Sequence, residues 1–275
     1  MGLYDTVSFE ASRIIMQRYS TSFSRSTRLF PVTIRRYIYA VYGLVRIADE
    51  IVDGYDGNDK DLVLDSLEQD VYRALDSGYS TNPVVHAFAL TAKKFHIDKT
   101  LIEPFFSSMR MDLELIHYTP KLYETYIYGS AEVVGLMCLK VFVSNNQDLY
   151  RELESDARKL GAAYQKINFL RDLAADNQEL GRFYFPGYTF DSFDEAAKSA
   201  VIDDIKKDLS SAHKAVLKLP ASARQATKLS SKYYTALLSI LEYTPIDTIK
   251  LKRMNVPAFH KTWLLLSTIA GPNHE

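Results

Sequence analysis

The stretch that decides the fold is "VRIADEIVDGYDG", residues 45–57, which has helical periodicity and carries carboxylates among apolar neighbours. On an α-helix, residues four apart lie about 40° apart around the axis and about 6 Å apart along it. Asp49 and Asp53 therefore share one face, with Arg46 and Tyr42 on the preceding turns of roughly the same side. Carboxylates this close repel one another. The stretch therefore predicts a compensating cation on this face.

A second stretch, "AYQKINFLRDLAAD", has the same character. Its polar residues fall at spacings of three, four and four, which is one stripe about 80° wide on a helix; they are Gln165, Asn168, Asp172 and Asp176. Solvated surface charge is the ordinary interpretation of such a spacing, but apolar neighbours and amides favour a polar seam in a buried surface. If the two stretches face each other, four carboxylates select hard divalent ions, Mg²⁺ first, whose open positions suit phosphate oxygens. The pair predicts a diphosphate held through metal ions.

The rest of the chain also has helical periodicity, so we predict an all-α protein. Breaks coincide with Pro and Gly, as at Pro31, Pro83, Pro120, Pro220 and Pro257. Strand-like alternation is limited to the doubtful segment "RFYFPGYTF". No linker or repeat divides the sequence. The prediction is one domain over residues 1–275, with roughly nine to eleven helices from typical element lengths.

Composition excludes several classes of protein. The chain is 47% hydrophobic and 24% charged, and its 33 basic and 34 acidic residues give a net charge of −1, so nucleic acid is not an expected partner. The single cysteine, Cys138, excludes an internal disulfide framework and a cysteine-based zinc site. We find no export signal and no apolar run of about 18 residues. We therefore expect a cytoplasmic protein.

Two polar segments flank the helical stretches. "QRYSTSFSRSTRLFP" brings Ser20 and Ser22 together with arginines, and hydroxyl and guanidinium groups suit phosphate oxygens. "KLKRM", with Lys261, is a candidate for peripheral contact with anionic lipid at a membrane, although a solvated helix end is the commoner interpretation.

These segments, in order, resemble the squalene/phytoene synthase family of head-to-head prenyl transferases. The resemblance covers nearly the whole chain and rests on six blocks: "YSTSFSRSTRLFP", "VYGLVRIADEIVD", "SMRMDL", "YIYGSAEVVGLMCLKVF", "AYQKINFLRDLAADNQELGRFYFP" and "LKRMNVPAFHKTW". It implies the isoprenoid synthase fold, a single helical domain around a central cavity.

The resemblance also implies roles for individual residues. The Mg²⁺ ligands, with Mn²⁺ as an alternative ion, would be Asp49, Asp53, Asp172 and Asp176. Residues that hold diphosphate or line the site would be Arg46, Ser20, Ser22, Gln165, Asn168, Arg253 and Lys261. Contacts with substrate or the leaving diphosphate would come from Tyr42, Tyr126 and Tyr184, and Tyr184 is a candidate for accepting a proton. The prenyl tunnels would be lined by Phe23, Val133, Val134 and Gly135, with core packing as the alternative. Glu132 and Val133 stand where the family has a pair of small residues of the Ala-Gly type, which leaves the preferred chain length of the prenyl substrate open.

The activity implied by the resemblance is the condensation of two geranylgeranyl diphosphates, through prephytoene diphosphate, to phytoene. This is the first committed step of carotenoid biosynthesis and needs no NADPH. One alternative is dehydrosqualene or squalene formation from farnesyl diphosphate, of which only squalene needs NADPH. The "SMRMDL" and "VGLM" blocks favour phytoene. A non-catalytic assembly factor is the remaining alternative, and the four intact aspartates argue against it.

Overall fold

The computed structural model describes residues 2–114 and 117–270, and all regular secondary structure in these residues is helical. The α-helices, in chain order from α1 to α13, are Leu3–Tyr19, Thr21–Thr27, Val32–Asp49, Lys60–Ser77, Pro83–Phe95, Lys99–Met111, Pro120–Ile127, Val133–Val143, Gln147–Gln178, Glu195–Val216, Ala221–Tyr243, Ile246–Ile249 and Ala258–Ala270. The described residues contain no strand, and "RFYFPGYTF" forms turns and irregular backbone. The all-α prediction is confirmed. The helix count is higher than predicted because α2 and α12 are too short to show a period.

Two helices are interrupted by π-helical turns. Glu50–Gly54 continues α3, and Tyr128–Glu132 joins α7 to α8. Such turns widen a helix locally and are frequent at functional sites. The first of them contains Asp53, so the two carboxylates of the first stretch lie on either side of the change from α to π geometry.

Helix ends follow the predicted breaks. Pro31 and Pro220 occupy the positions just before α3 and α11, while Pro83 and Pro120 are the first residues of α5 and α7. Proline is tolerated there because the first backbone N–H groups of a helix have no intrahelical partner. The missing donor therefore costs the helix no hydrogen bond.

Helix α9 packs closely against α8 and against the π-helical turn Tyr128–Glu132 that precedes it. A Cβ on Gly135 would lie 2.9 Å from the carbonyl oxygen of Ala157, and one on Gly161 would lie 2.7 Å from that of Ala131. Only glycine permits this approach. The close contact fixes the position of α9, the helix that carries the second aspartate stretch.

The expectation that no apolar run reaches about 18 residues is wrong, because among the described residues one segment, Pro120–Val143, is long and apolar enough to cross a bilayer by length and composition alone. Of the most apolar 18-residue window of this segment, 56% is buried inside the protein. A Cβ on Gly129, within the segment, would lie 2.1 Å from the carbonyl oxygen of Pro104. This burial is typical of a core segment, and it explains why a run of this length coexists with a packed helical fold.

Candidate active site

A cavity of about 540 Å³ is enclosed mainly by α2, α3, α8, α9 and α11. It is lined by every site residue singled out above except Val133: Ser20, Ser22, Phe23, Tyr42, Arg46, Asp49, Asp53, Tyr126, Val134, Gly135, Gln165, Asn168, Asp172, Asp176, Tyr184, Arg253 and Lys261. Val133 is fully buried and Glu132 bonds to Arg158 at 2.6 Å. Neither lines the cavity, so the core-packing alternative describes Val133.

The cavity is strongly charged at one end and mainly apolar at the other, where Asp156 also lines it. On α9 the first lining residue is Leu153 and the last is Asp176; on α3 the apolar Ile38 precedes the acidic Asp49. The apolar parts of the two helices belong to the same hydrophobic cluster, with Val216 of α10. An amphiphilic ligand with a charged head and a long apolar tail matches this division.

The positive charges around each aspartate pair do not fully compensate its two carboxylates. The pKa of Asp49 rises to about 7, first because the group is buried and then because Asp53 is close, with Arg46 opposing the change. The pKa of Asp176 rises to about 8 through burial and then through Asp172. Near neutral pH, Asp49 and Asp176 therefore hold protons for much of the time.

Arginines partly compensate both pairs. Arg182 Nη1 lies 2.6 Å from Asp53 Oδ1. Arg171 Nε donates to Asp172 at 2.9 Å, and Arg253 Nε lies 2.7 Å from the same carboxylate oxygen. These groups surround the polar end and present guanidinium hydrogen atoms to it.

Lys261 adds a further cation to this end. Its ammonium donates to Thr21 Oγ1 at 3.0 Å. Burial lowers the pKa of Lys261, and repulsion from Arg25, Arg171 and Arg253 lowers it further. Lys261 and these three arginines therefore form a site that an anion with several oxygens would stabilise.

Asp112 is the buried centre of a hydrogen-bond network behind the aspartates. Its carboxylate, 8% exposed, accepts from Tyr126 Oη at 2.7 Å and from Tyr184 Oη at 3.1 Å. The backbone oxygen of Asp112 accepts from Arg182 Nη2 at 2.8 Å. Burial raises the pKa of Asp112 to about 6, and Arg182 opposes this. The network fixes both phenols and links them to Asp53.

Asp112, Arg171 and Arg182 are residues that sequence reasoning missed. All three lie in blocks quoted for the family resemblance, "SMRMDL", "NFLRDL" and "GRFYFP", yet none was given a role. For Arg171, adjacency to Asp172 was an available signal. Asp112 and Arg182 are 70 residues apart in sequence, so their contact had no local signature.

Aromatic rings form a wall beside the polar end. Tyr164 and Tyr234 are stacked with centroids 3.7 Å apart, and Phe23 lies 5.8 Å from Tyr234 and 6.1 Å from Tyr42. Tyr234 donates its hydroxyl to Asn168 Oδ1 at 3.3 Å. The faces of such rings attract cations electrostatically. The wall can therefore stabilise positive charge that develops next to the anion site.

The donor chemistry of the polar end suits a hard divalent ion. Its candidate ligands are the four aspartates, and carboxylate oxygen is what Mg²⁺ prefers. In the part of the chain that the structure describes, no three His, Cys, Asp or Glu residues come together closely enough to hold an ion without help. The four aspartates have the donor chemistry that a divalent ion prefers, and the raised pKa values of Asp49 and Asp176 agree with carboxylates that lack full compensation.

Comparison with known proteins agrees with this geometry. The sequence profile of the squalene/phytoene synthase family matches residues 16–260. A phytoene synthase of Arthrospira platensis is 33% identical over 190 residues, which are 65% of this chain and 61% of the relative's length. A 15-cis-phytoene synthase of Synechococcus elongatus is 28% identical over 279 aligned positions, covering 92% of this chain and 89% of that protein. The structure of a dehydrosqualene synthase has a TM-score of 0.81, at 21% identity and 97% and 96% coverage.

The fold and site thus define an all-α protein of the isoprenoid synthase fold, with a cavity that is acidic and basic at one end and apolar at the other. The chain belongs to the squalene/phytoene synthase family. Its predicted family and fold class are confirmed.

Proposed function

We propose that this protein is a phytoene synthase, which joins two geranylgeranyl diphosphates head to head to make phytoene. The observation that carries the proposal is the divided cavity, with aspartate pairs and cations at one end and an apolar interior at the other. The phytoene synthases among the relatives, one of which aligns along 92% of the chain, support the longer substrate.

The polar end serves to take diphosphate from the first substrate. Bound Mg²⁺, or Mn²⁺ in its place, would be held by Asp49, Asp53, Asp172 and Asp176 and would supply positive charge for the leaving anion. Around it, the protein's own cations (Arg46, Arg171, Arg253 and Lys261) bind and orient diphosphate oxygens. Ser20, Ser22, Gln165 and Asn168 lie at the same end and can add hydrogen bonds.

The cavity wall then protects the carbocation. C1 of the ionised substrate is attacked by the C2–C3 double bond of the second, and loss of one proton closes the cyclopropane ring of prephytoene diphosphate. Loss of the second diphosphate, rearrangement and loss of another proton give phytoene. No hydride is added, so the balance needs no NADPH. The rings of Phe23, Tyr42 and Tyr234 exclude water and face the developing positive charge.

The departing diphosphate accepts the proton, with help from Tyr184. This phenol is held by Asp112 at 3.1 Å, so its hydroxyl hydrogen points away while an oxygen lone pair remains available. Burial, with Asp112 next, raises the pKa of Tyr184 well above its ordinary value, so the phenol stays neutral. A Tyr184→Phe variant with unchanged product formation would remove Tyr184 from this role.

A second candidate reaction uses two farnesyl diphosphates and gives a C30 product. It is favoured by the structural likeness to a dehydrosqualene synthase, which itself shows the fold alone. The two reactions share the polar end and differ in the length of tail that the apolar end admits.

A product assay tests the proposal. Geranylgeranyl and farnesyl diphosphate are each supplied with Mg²⁺, with and without NADPH, and with EDTA as a control. We expect a C40 hydrocarbon that depends on Mg²⁺ and not on NADPH. Asp49→Asn should abolish it, whereas Asp204→Asn, a carboxylate outside the cavity that pairs with Lys166, should not. A C30 product alone would shift the assignment to the second reaction, and unconsumed substrate would favour a non-catalytic role.

We also infer a cytoplasmic location. The chain has a single cysteine, Cys138, so it cannot form an internal disulfide framework, and such cysteine usage suits a reducing compartment. Fractionation of cells into periplasm, cytoplasm and membrane, with soluble marker proteins as controls, tests this location.

A further inference from the structure

Tyr164 brings an unpaired hydroxyl group to the wall of the cavity. This hydroxyl is buried, and it has no hydrogen-bond partner among the residues that the structure describes. A buried hydroxyl without a partner destabilises a protein, and such groups are rare. The unpaired phenol of Tyr164 therefore points to a role in the chemistry of the cavity.

Tyr164 lies beside the polar end of the cavity. On α9 it precedes Asn168 by about one turn, and it lies about 12 Å along the axis from Asp172. Its ring is stacked on that of Tyr234, with centroids 3.7 Å apart, and Tyr234 donates its hydroxyl to Asn168. Tyr164 is thus placed next to the carbon atoms that follow a diphosphate bound at the polar end.

Two serines of α11 lie close to the phenol. Burial raises the pKa of Tyr164, and the hydroxyls of Ser230 and Ser231 lower it, so both serines are near its oxygen. Ser230 lines the cavity, whereas Ser231 lies behind the wall with 3% of its surface exposed. A small shift of the phenol would let it donate to Ser231, because a hydroxyl hydrogen turns to suit its partner.

Ser231 in turn contacts a histidine that reaches the surface. Its Oγ lies 2.6 Å from Nε2 of His213 on α10. His213 is exposed, and the burial of part of its ring lowers the pKa of His213 below its ordinary value. The imidazole is therefore neutral near pH 7 and has a nitrogen that can accept a proton.

We propose that Tyr164, Ser231 and His213 form a relay that carries a proton from the cavity to solvent. The inference rests on the proposed function, in which each phytoene formed releases two protons. The departing diphosphate, with Tyr184, accepts one of them. The relay accepts the other.

The transfer is balanced along the three residues. A C–H bond of the carbocation breaks, and its electron pair stays in the hydrocarbon while the proton binds Tyr164 Oη. The phenol proton moves to Ser231 Oγ, and the serine's own proton moves to His213 Nε2. The imidazolium then releases a proton to solvent, and the hydroxyl groups turn back. No water molecule needs to enter the cavity, where it would capture the cation.

Steady-state kinetics of single variants test the relay. Tyr164→Phe keeps the ring and its stack, so kcat should fall about 100-fold while KM stays unchanged. Its Tm should stay equal or rise, because the variant removes an unpaired buried hydroxyl. Ser231→Ala and His213→Ala should each lower kcat about tenfold or more. The matched control is His117→Ala, which removes another exposed histidine outside the cavity and should keep the kcat of the parent protein.

Added imidazole distinguishes a proton acceptor from a structural role. It should raise the kcat of His213→Ala several-fold, because the vacated position is open to solvent, and it should leave Tyr164→Phe unchanged. A Tyr164→Phe variant with the kcat of the parent protein would overturn the proposal. A loss in His213→Ala that imidazole does not restore would also overturn it.

Nitrogen-15 NMR of the substrate-free protein gives a test that does not depend on the reaction. The relay requires that Nε2 of His213 carries no proton at pH 8, and the spectrum of His213→Ala assigns the signal. A protonated Nε2 at this pH would overturn the relay even if phytoene is formed. A parent protein that consumes no prenyl diphosphate would instead contradict the proposed function, while the NMR result still decides whether His213 can accept the proton of Ser231.

Discussion

The stability of the metal-free protein should fall as the pH rises from 5 to 8, because of Asp49 and Asp176. In the unfolded chain an aspartate ionises near pH 3.9, whereas in the folded protein Asp49 ionises at about 7 and Asp176 at about 8. Between these values the folded protein holds protons that the unfolded chain has lost. Raising the pH therefore costs stability until both groups are ionised in the folded state, and above about pH 9, one unit beyond the pKa of Asp176, the dependence levels off.

The size of the effect follows from the two shifts. At about 1.4 kcal/mol per pKa unit, ionisation between pH 5 and pH 9 would cost about 3 kcal/mol for Asp49 and about 4 kcal/mol for Asp176. The Asp49 side chain is 34% accessible and lines the cavity, where water screens its charge. We therefore expect roughly a third of the sum, about 2 kcal/mol in total.

The measurement is urea unfolding in EDTA at intervals between pH 5 and pH 9. It compares the parent protein with the isosteric, uncharged variant Asp49→Asn/Asp176→Asn. The free energy of unfolding of the parent, relative to that variant, should fall by about 2 kcal/mol across the range, and excess Mg²⁺ should flatten the curve. If the difference between the two proteins is independent of pH, these carboxylates are not protonated in the folded state and the electrostatic reasoning fails.

Three further substitutions or treatments have defined outcomes. Arg182→Met leaves the buried Asp112 without its cation, so the free energy of unfolding in urea should fall by about 3 kcal/mol, and Arg182→Lys should lower it less. A loss below about 1 kcal/mol for Arg182→Met would contradict the ion pair. Gly129→Ala places a Cβ 2.1 Å from the Pro104 carbonyl oxygen and should cost about 2 kcal/mol or more, measured by thermal unfolding, so an unchanged Tm would refute the close contact. Cys138 has a pKa of about 12 because it is buried, so iodoacetamide at pH 8 should modify it only in urea; rapid modification of the folded protein, detected by mass spectrometry, would count against this.

The helical spacing of the aspartates predicted much of the site because that spacing is local. Asp172 and Asp176 lie four residues apart on one continuous helix, so their shared face follows from helix geometry alone. The compensating charge was only half predicted. Besides any metal ion, arginines from distant segments provide it, such as Arg182 against Asp53 across 129 residues of sequence. Contacts of that separation depend on the tertiary fold and leave no periodic signal.

The π-helical turns were not predicted for a related reason. A turn such as Glu50–Gly54 adds about one residue to the helical repeat over a short distance, which apolar periodicity cannot resolve. Its effect is nevertheless direct, since Asp53 lies within it and bonds to Arg182. By contrast, the breaks at the prolines named above were predicted well, because the missing N–H is a property of the residue itself. Pro104, which was not named as a break, lies within α6.

The long helix α9 also sets the distance between the two ends of the cavity. It lines the cavity from Leu153 to Asp176 without a break, and Leu153 lies about 28 Å along the axis from Asp172 at 1.5 Å per residue. On the proposed function, the tail of the substrate ends near one end of this helix while its diphosphate is released near the other. The distance between the two ends therefore limits the length of the tail. A larger side chain at Ala157 would shorten this distance without replacing any of the four aspartates at the polar end, although the neighbouring Asp156 also lines the cavity. Product length could therefore change by single substitutions while the chemistry of ionisation stays the same.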